Sequence, residues 1–297
     1  MVAPERERLR RAFGLAAPPP APPGEAGGVR AFLQRRAGRQ AAQPRPRVAL
    51  PAGDELHGAH GPYWRRELRY PLTAQHGATM LGAATTVAGE RFAALARDPQ
   101  LATVQAGECL FLDTETTGLA GGAGTVVFAY GLGFLRGGEL VVEQLFLRDF
   151  GEEPALLHHV AARLAEFPVP VTFVGKSFDR HRIHARLVLH KLQAPVLTSR
   201  HLDLYHAVRR RYGRAWPDTR LGTVERRLLG VHRDDDLPGS EAPAAFLDWI
   251  RDGSGPVDRV LEHNRLDVLS LVALLGVLGA QPDAAAAQPR PAGGTGS

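Results

Sequence analysis

Asp113 and Glu115 stand with one residue between them at the end of an apolar run, in "CLFLDTETTGLAGGAGT", residues 109–125. In a strand, side chains at i and i+2 project to the same face, so these two carboxylates would lie side by side. Burying two like charges together is costly unless something positive is bound there or one acid stays protonated. Two further places hold groups of the same kind. Asp179 follows the short apolar run "PVTFVG" in "GKSFDRHRI", and His263 and Asp267 sit in "HNRLD". At i and i+4 of a helix, His263 and Asp267 share a face. Each place also has a plainer reading. Asp179 would cap the helix that starts there, His263 and Asp267 would form a surface pair of small worth, and "DTE" would be a strand end turning into a polar loop. Their order along the chain, each on the element it needs, favours a common site.

The elements that must position these groups follow from periodicity. "ECLFLDTE" reads as a buried strand, and "TVVFAYGLGFL" and "LVVEQLFLRD" as two more, joined by the hairpin turn "RGGE". In "EEPALLHHVAARLAEF", Leu156, Leu157, Val160, Leu164 and Phe167 recur at helical spacing. A short strand "PVTFVG", a helix "SFDRHRIHARLVLHKL", and helices around 221–229, 243–251 and 256–278 complete the pattern. Three hairpin-linked strands, then helix, strand, helix, strand and helices, predict an RNase H-like α/β fold. Its mixed sheet has three antiparallel strands first, then α/β units, with helices flanking it. Upstream, "PYWRRELRYPL" suits a strand and "GERFAALARD" a short helix. Residues 48–104 are expected to be an accessory segment packed on a core domain of residues 105–280.

At these residues the chain resembles a known family. "FLDTETTGL", "VGKSFDRHRI" and "EHNRLDVLSL" are similar to the three motifs of the DEDD, or DnaQ-like, 3′–5′ exonuclease superfamily. The longer "FLDTETTGLAGGAGT", with "DDDLPGSEAP" and "HNRLDVLSL", resembles its YprB-like branch. The resemblance covers about residues 108–276. It implies a nuclease in which Asp113, Glu115, Asp179 and Asp267 hold two divalent ions, Mg²⁺ or Mn²⁺. Such hard cations suit carboxylate oxygens. Asp113 would bridge them, Glu115 and Asp267 would complete one site, and Asp179 would serve the other. Two ions about 3.5–4 Å apart stabilise the attacking and leaving oxygens of a phosphodiester. The family's general base is a His five positions before the last Asp, or a Tyr four before it. Here those positions are Glu262 and His263, so His263 takes the base's role in the Tyr geometry. The implied partner is nucleic acid, DNA or RNA, with a single-stranded 3′ end.

Asp203 in "HLDLYHA" suits either a helix cap or a carboxylate supporting the site. Arg209, Arg210, Arg211 and Arg214 suit phosphate contact or a solvated helix face. His181 and His184 lack a third ligand of matching spacing. "LAGGAGT" and "GKS" are not P-loops, although small residues let a strand approach closely. An aspartyl-phosphate phosphatase is disfavoured by the hairpin strands that follow the acids and by Glu as the second carboxylate. A catalytically silent nucleic-acid binder on the same fold is the other alternative.

The composition, 44% hydrophobic and 23% charged over 297 residues, is that of a globular chain. Cys109 is the only cysteine, which excludes intrachain disulfides and cysteine-based zinc sites. The net charge of +5 is uneven. Residues 1–50 hold ten Arg and three Glu, a local +7, leaving −2 for the remainder. The Arg-, Pro- and Ala-rich residues 1–47 and residues 281–297 are expected to be disordered tails. No membrane-spanning run and no secretory leader are expected, and the default location is the cytoplasm.

Overall fold

The computed structural model describes residues 47–118, 125–176, 179–192 and 200–281. Expectations for the two tails and for the glycine-rich residues 119–124 lie outside the described residues. The chain divides into Met1–Arg45 and Pro46–Ser297, and the second unit is described below.

In chain order the elements are β1 Asp54–Gly58, β2 Gly61–Pro71, β3 Gln75–His76, β4 Thr79–Met80, α1 Gly89–Ala96, β5 Cys109–Thr116, β6 Val127–Arg136 and β7 Glu139–Phe146. They continue with α2 Glu153–Glu166, β8 Val169–Thr172, α3 Asp179–Leu189, β9 Leu202–Asp203 and α4 Leu204–Tyr212. The last are α5 Leu221–Val224, which runs into a π-helical turn Glu225–Leu229, then α6 Ala242–Asp252 and α7 Val257–Ala280. Seven strands form one sheet in the order β1-β2-β7-β6-β5-β8-β9. From β1 to β5 the neighbours are antiparallel, and β5, β8 and β9 run parallel. This is the expected mixed α/β sheet of an RNase H-like fold. The β1–β2 hairpin extends it beyond β7.

The local reasons are legible in the residues. Gly137 and Gly138 link β6 to β7 with φ of 61° and 79°. A two-residue turn matching the strand twist requires positive φ at both positions. Strand β5 is buried on both faces. Leu110 and Leu112 join a cluster with α2, α3 and α6, while Cys109 and Phe111 join a second cluster with α1, α4 and α7.

Helix α7 corrects one expectation. Its 24 residues are long and apolar enough, by length and composition, to cross a membrane. Here Leu269, Leu271, Val272, Leu274, Leu275 and Leu278 are all buried in the second cluster. A helix enclosed by its own fold has no need of a polar face over that stretch. Two glycines of β6 let it settle on the sheet. A Cβ on Gly131 would come within 2.6 Å of the Asn264 side chain, and one on Gly133 within 2.6 Å of Val268.

Candidate active site

Strand alternation places the first acids. Asp113 and Glu115 lie at the carboxyl end of β5, where the pairing with β6 shifts register between Glu115 and Thr116. Asp113 faces α7, whose Asn264 donates to its Oδ2 at 2.8 Å. Thr114, between the two acids, projects the other way and donates to Asp179 at the start of α3. The strand therefore holds Asp113 directly and steadies Asp179 through its neighbour.

Asn264 is fixed in turn. It is fully buried and accepts from Gln144 of β7 at 3.1 Å, while Gln144 also donates to the Leu261 carbonyl at 2.6 Å. On the same helix, His263 and Asp267 turn toward a cleft of about 250 Å³ that Arg226, Arg233 and Asp236 also line. The Nδ1 of His263 lies 2.9 Å from both carboxylate oxygens of Asp236. It lies 3.4 Å from Arg233, so the shorter Asp236 contact sets the tautomer, with the proton on Nδ1. In the neutral ring, Nε2, 3.7 Å from Asp267, is then the nitrogen without a proton. Arg233 pairs with Asp267 at 2.5 Å, with Asp236 at 3.3 Å and with Glu225 of the π-helical turn. Behind it, Ser270 donates to Glu225 and accepts from His76 at 2.7 Å, so a buried polar line reaches the β3–β4 ribbon. Burial holds His76 neutral, with its pKa lowered to about 4.

The acids act on one another. Burial pushes Asp113 well above the ordinary carboxylate range, and Asp267, Glu115 and Asp179 add to the push. The Asn264 hydrogen bond pulls the other way without prevailing. Glu115 is raised for the same reasons, burial first, then Asp267, Asp179 and Asp236. Burial raises Asp179 to about 6 despite the Thr114 hydrogen bond. Four carboxylates from three elements thus share one field, and each is stabilised by whatever supplies positive charge.

The donor set fits a hard divalent cation in kind, since these four side chains offer only oxygen. As the side chains stand, no three His, Cys, Asp or Glu groups among the described residues converge closely enough to hold an ion. Asp267 faces Arg233 instead. The uncompensated charge on Asp113 and Glu115 is what favours a cation there, and Asp267 would have to turn from Arg233 to share it.

The remaining candidates fall into place individually. Asp203 caps α4 by accepting from the Tyr205 N–H at 3.1 Å. It also accepts from the N–H groups of Val174 and Lys176, which fixes the segment leading to Asp179. Glu262 pairs with Arg265 at 2.5 Å rather than with the site acids. Arg209, Arg210, Arg211 and Arg214 are exposed on and just after α4, and Arg210 donates to the Leu95 carbonyl. His181 and His184 are exposed on α3 and belong to no group able to hold a metal. Sequence reasoning missed Thr114, Asn264, Glu225, Arg233 and Asp236. "DDDLPGSEAP" and "HNRLD" contain Asp236 and Asn264, but nothing in their spacing says what each will meet.

Comparison with known proteins identifies the family. The sequence model of the RNase_H superfamily matches residues 110–278. The chain is also 33% identical over 214 residues to the uncharacterized protein YprB of Bacillus subtilis (strain 168), covering 70% of this chain and 51% of that protein. It therefore spans about half the length of the curated relative it matches.

Proposed function

The chain belongs to the RNase_H superfamily, and from that premise we propose that it is a divalent-metal-dependent nuclease, a 3′–5′ exonuclease acting on DNA or RNA with a single-stranded 3′ end. The observation that carries the reading is the shared field of Asp113, Glu115, Asp179 and Asp267, with Asp113 and Glu115 pushed far above their ordinary range. Buried acids kept so short of compensation are commoner at functional sites than in structural networks.

Asp113, Glu115, Asp179 and Asp267 would hold two Mg²⁺ or Mn²⁺ ions, which stabilise the charge on the attacking and leaving oxygens when bound. The protein's own groups do the rest. Asn264 orients the Asp113 carboxylate, and Thr114 orients that of Asp179. Asp236 holds the His263 ring with Nε2 free of its proton, so that this nitrogen can take one from the attacking water. Arg226, exposed in the same cleft, offers positive charge to substrate phosphates. A cytoplasmic location accompanies this reading as an expectation from the composition.

A second reading, a silent nucleic-acid binder, draws support from Arg233, which already neutralises Asp267. One experiment separates the two. The chain is incubated with 3′- and 5′-labelled DNA and RNA, single- and double-stranded, with Mn²⁺, Mg²⁺ or EDTA. Stepwise loss of nucleotides from the 3′ end, abolished by EDTA and by Asp113→Asn, is the expected result. Binding without cleavage under every condition would establish the silent binder.

A further inference from the structure

We infer that a second cleft, which shares Leu221 with the first, receives a nucleobase of the substrate strand; the inference rests on the nuclease reading above. This cleft of about 460 Å³ is lined by Phe173, Val174, Tyr205, Asp218, Arg220 and Leu221. Leu221 also lines the cleft of His263 and Asp267. The topology explains why the two lie on the same edge of the sheet. Strands β5, β8 and β9 are parallel neighbours. Asp113 and Glu115 close β5, Phe173 follows β8, and Tyr205 follows β9. The acids and the second cleft thus lie along the carboxyl ends of adjacent parallel strands, where such sheets bind ligands.

The cleft has the chemistry of a stacking site. Phe173 and Tyr205 are half-buried rings, edge to face, with centroids 5.7 Å apart. Aromatic faces accept any base, which suits a subsite that must pass successive nucleotides. Arg220 is exposed at the rim, and Arg226 continues the positive charge into the first cleft. The one acid on the wall, Asp218, is engaged by its own loop, accepting from the Arg220 N–H at 2.9 Å.

The walls are also held in place at a cost. Val174 has φ of 67°, a left-handed conformation that β-branched residues rarely adopt, and the residue is 39% exposed. Such strain persists only where the surroundings over-determine it, most often beside a ligand site. Here the buried Asp203 carboxylate supplies the constraint. It accepts from Val174 at 2.9 Å, from Lys176 at 3.0 Å and from Tyr205 at 3.1 Å. One side chain therefore ties the loop carrying Phe173 to the helix carrying Tyr205. A site locked open in this way loses little freedom when a base enters.

The test compares Tyr205→Ala with Tyr205→Phe in the full chain. Binding of a labelled single-stranded oligonucleotide is read by fluorescence anisotropy in an Asp113→Asn background, and steady-state kinetics in the otherwise unaltered chain. Tyr205→Ala is expected to weaken binding on the order of tenfold and to raise KM with little change in kcat, while Tyr205→Phe stays within about twofold. An oligonucleotide abasic at one position near its 3′ end should bind the Tyr205 chain more weakly, yet bind Tyr205→Ala no worse than the intact oligonucleotide does. Equal binding by the Ala and Phe variants, or additive losses at every abasic position, would overturn the subsite while leaving the nuclease intact. Should Tyr205→Ala misfold, the exposed Arg220→Ala decides: the slope of log affinity against log salt should fall by about one, and an unchanged slope counts against the subsite. A chain that neither binds nor cleaves any nucleic acid overturns both readings together.

Discussion

Glu143 and Asp113 are both carboxylates on the inner strands of one sheet, and their surroundings treat them in opposite ways. The Glu143 side chain, on β7, is fully buried, yet Arg163 reaches it at 2.7 and 2.8 Å, His159 at 2.8 Å and Arg65 at 3.0 Å. Burial alone would push its pKa up; the hydrogen bonds from Arg163 and His159 win and bring it down to about 2. Among the described residues Asp113 has only a neutral amide, Asn264, where Glu143 has two guanidinium groups and an imidazole, and it is pushed far up. Glu143 ties β2, β7 and α2 together and needs nothing more. Asp113 is left wanting a positive partner, which is the mark of a site rather than of a strut.

The largest expected effect separates the two at once. Asp113→Asn should bring hydrolysis to background while raising the melting temperature, because it removes a like-charge, desolvated group. Glu143→Gln should do the reverse. It leaves guanidinium groups buried against a neutral amide, a loss of about 3–5 kcal/mol, while folded molecules keep their turnover. For a chain of this size each kcal/mol shifts the melting temperature by roughly 2–4 °C. Thermal melting without divalent ions, with a cleavage assay beside it, reads both. A destabilised Asp113→Asn would mean that its charge is already compensated, and the contrast would collapse.

The pH dependence sharpens the same contrast, because the two windows are opposed. Glu143 is depressed in the folded chain. Its contribution is complete above the unfolded value of 4.5 and is lost as pH falls toward about 2. The deficit of Glu143→Gln should therefore close in that interval. Asp113 is raised in the folded chain, so its charged form destabilises at high pH. That penalty fades as pH falls through the raised value toward the unfolded 3.8. The gain of Asp113→Asn should thus be greatest in alkali and vanish near pH 4. Urea unfolding of each variant beside the parent chain, from pH 2 to 9, gives both curves; parallel curves would refute the opposition.

A smaller effect probes the groups around the acids. His263→Ala should cost on the order of a hundredfold in kcat, the usual scale for a general base. His263→Tyr, which supplies the Tyr that the resembled family carries four positions before its last Asp, should keep measurable activity. Near-parental rates for the Ala variant would reduce His263 to a helix-surface residue paired with Asp236.

What could be read ahead of the structure was whatever depends on local pattern. Alternation along "FLDTE" aims Asp113 and Glu115 together, "RGGE" demands a tight hairpin, and Leu156 to Phe167 trace one helix face. What escaped depends on contacts distant in sequence. Arg233, in the charged segment "HRDDD", reads as solvated until Glu225 and Asp267 close on it. Asn264 is one polar residue among several in "HNRLD", and its burial depends on Gly131 admitting the helix. The apolarity of α7 is obscured in the sequence by charged residues in its first turns, although its second half is enclosed by the core.

The smallest expected effect concerns the edge of the described chain and asks whether the Glu143 side of the molecule is purely structural. The Val48 N–H donates to the Gly253 carbonyl at 2.8 Å, and the Trp249 indole donates to the Val48 carbonyl at 2.8 Å. The Arg47 guanidinium lies over the same indole, 4.1 Å from the ring centroid. Trp249 packs edge-on against Phe146 at the end of β7. Deleting residues 1–46 keeps all these contacts, so melting and turnover should match the parent chain. Deleting residues 1–50 removes them, along with the burial of Val48 and Leu50 against the core. The cost should be about 1–2 kcal/mol, read as a lower urea midpoint with kcat unchanged. Loss of oligonucleotide affinity in the shorter deletion, with a flatter salt dependence, would assign the basic residues before 47 to phosphate contact. A fall in kcat on removing residues 47–50 would instead tie this edge to the acids of β5, and the division between strut and site would not hold.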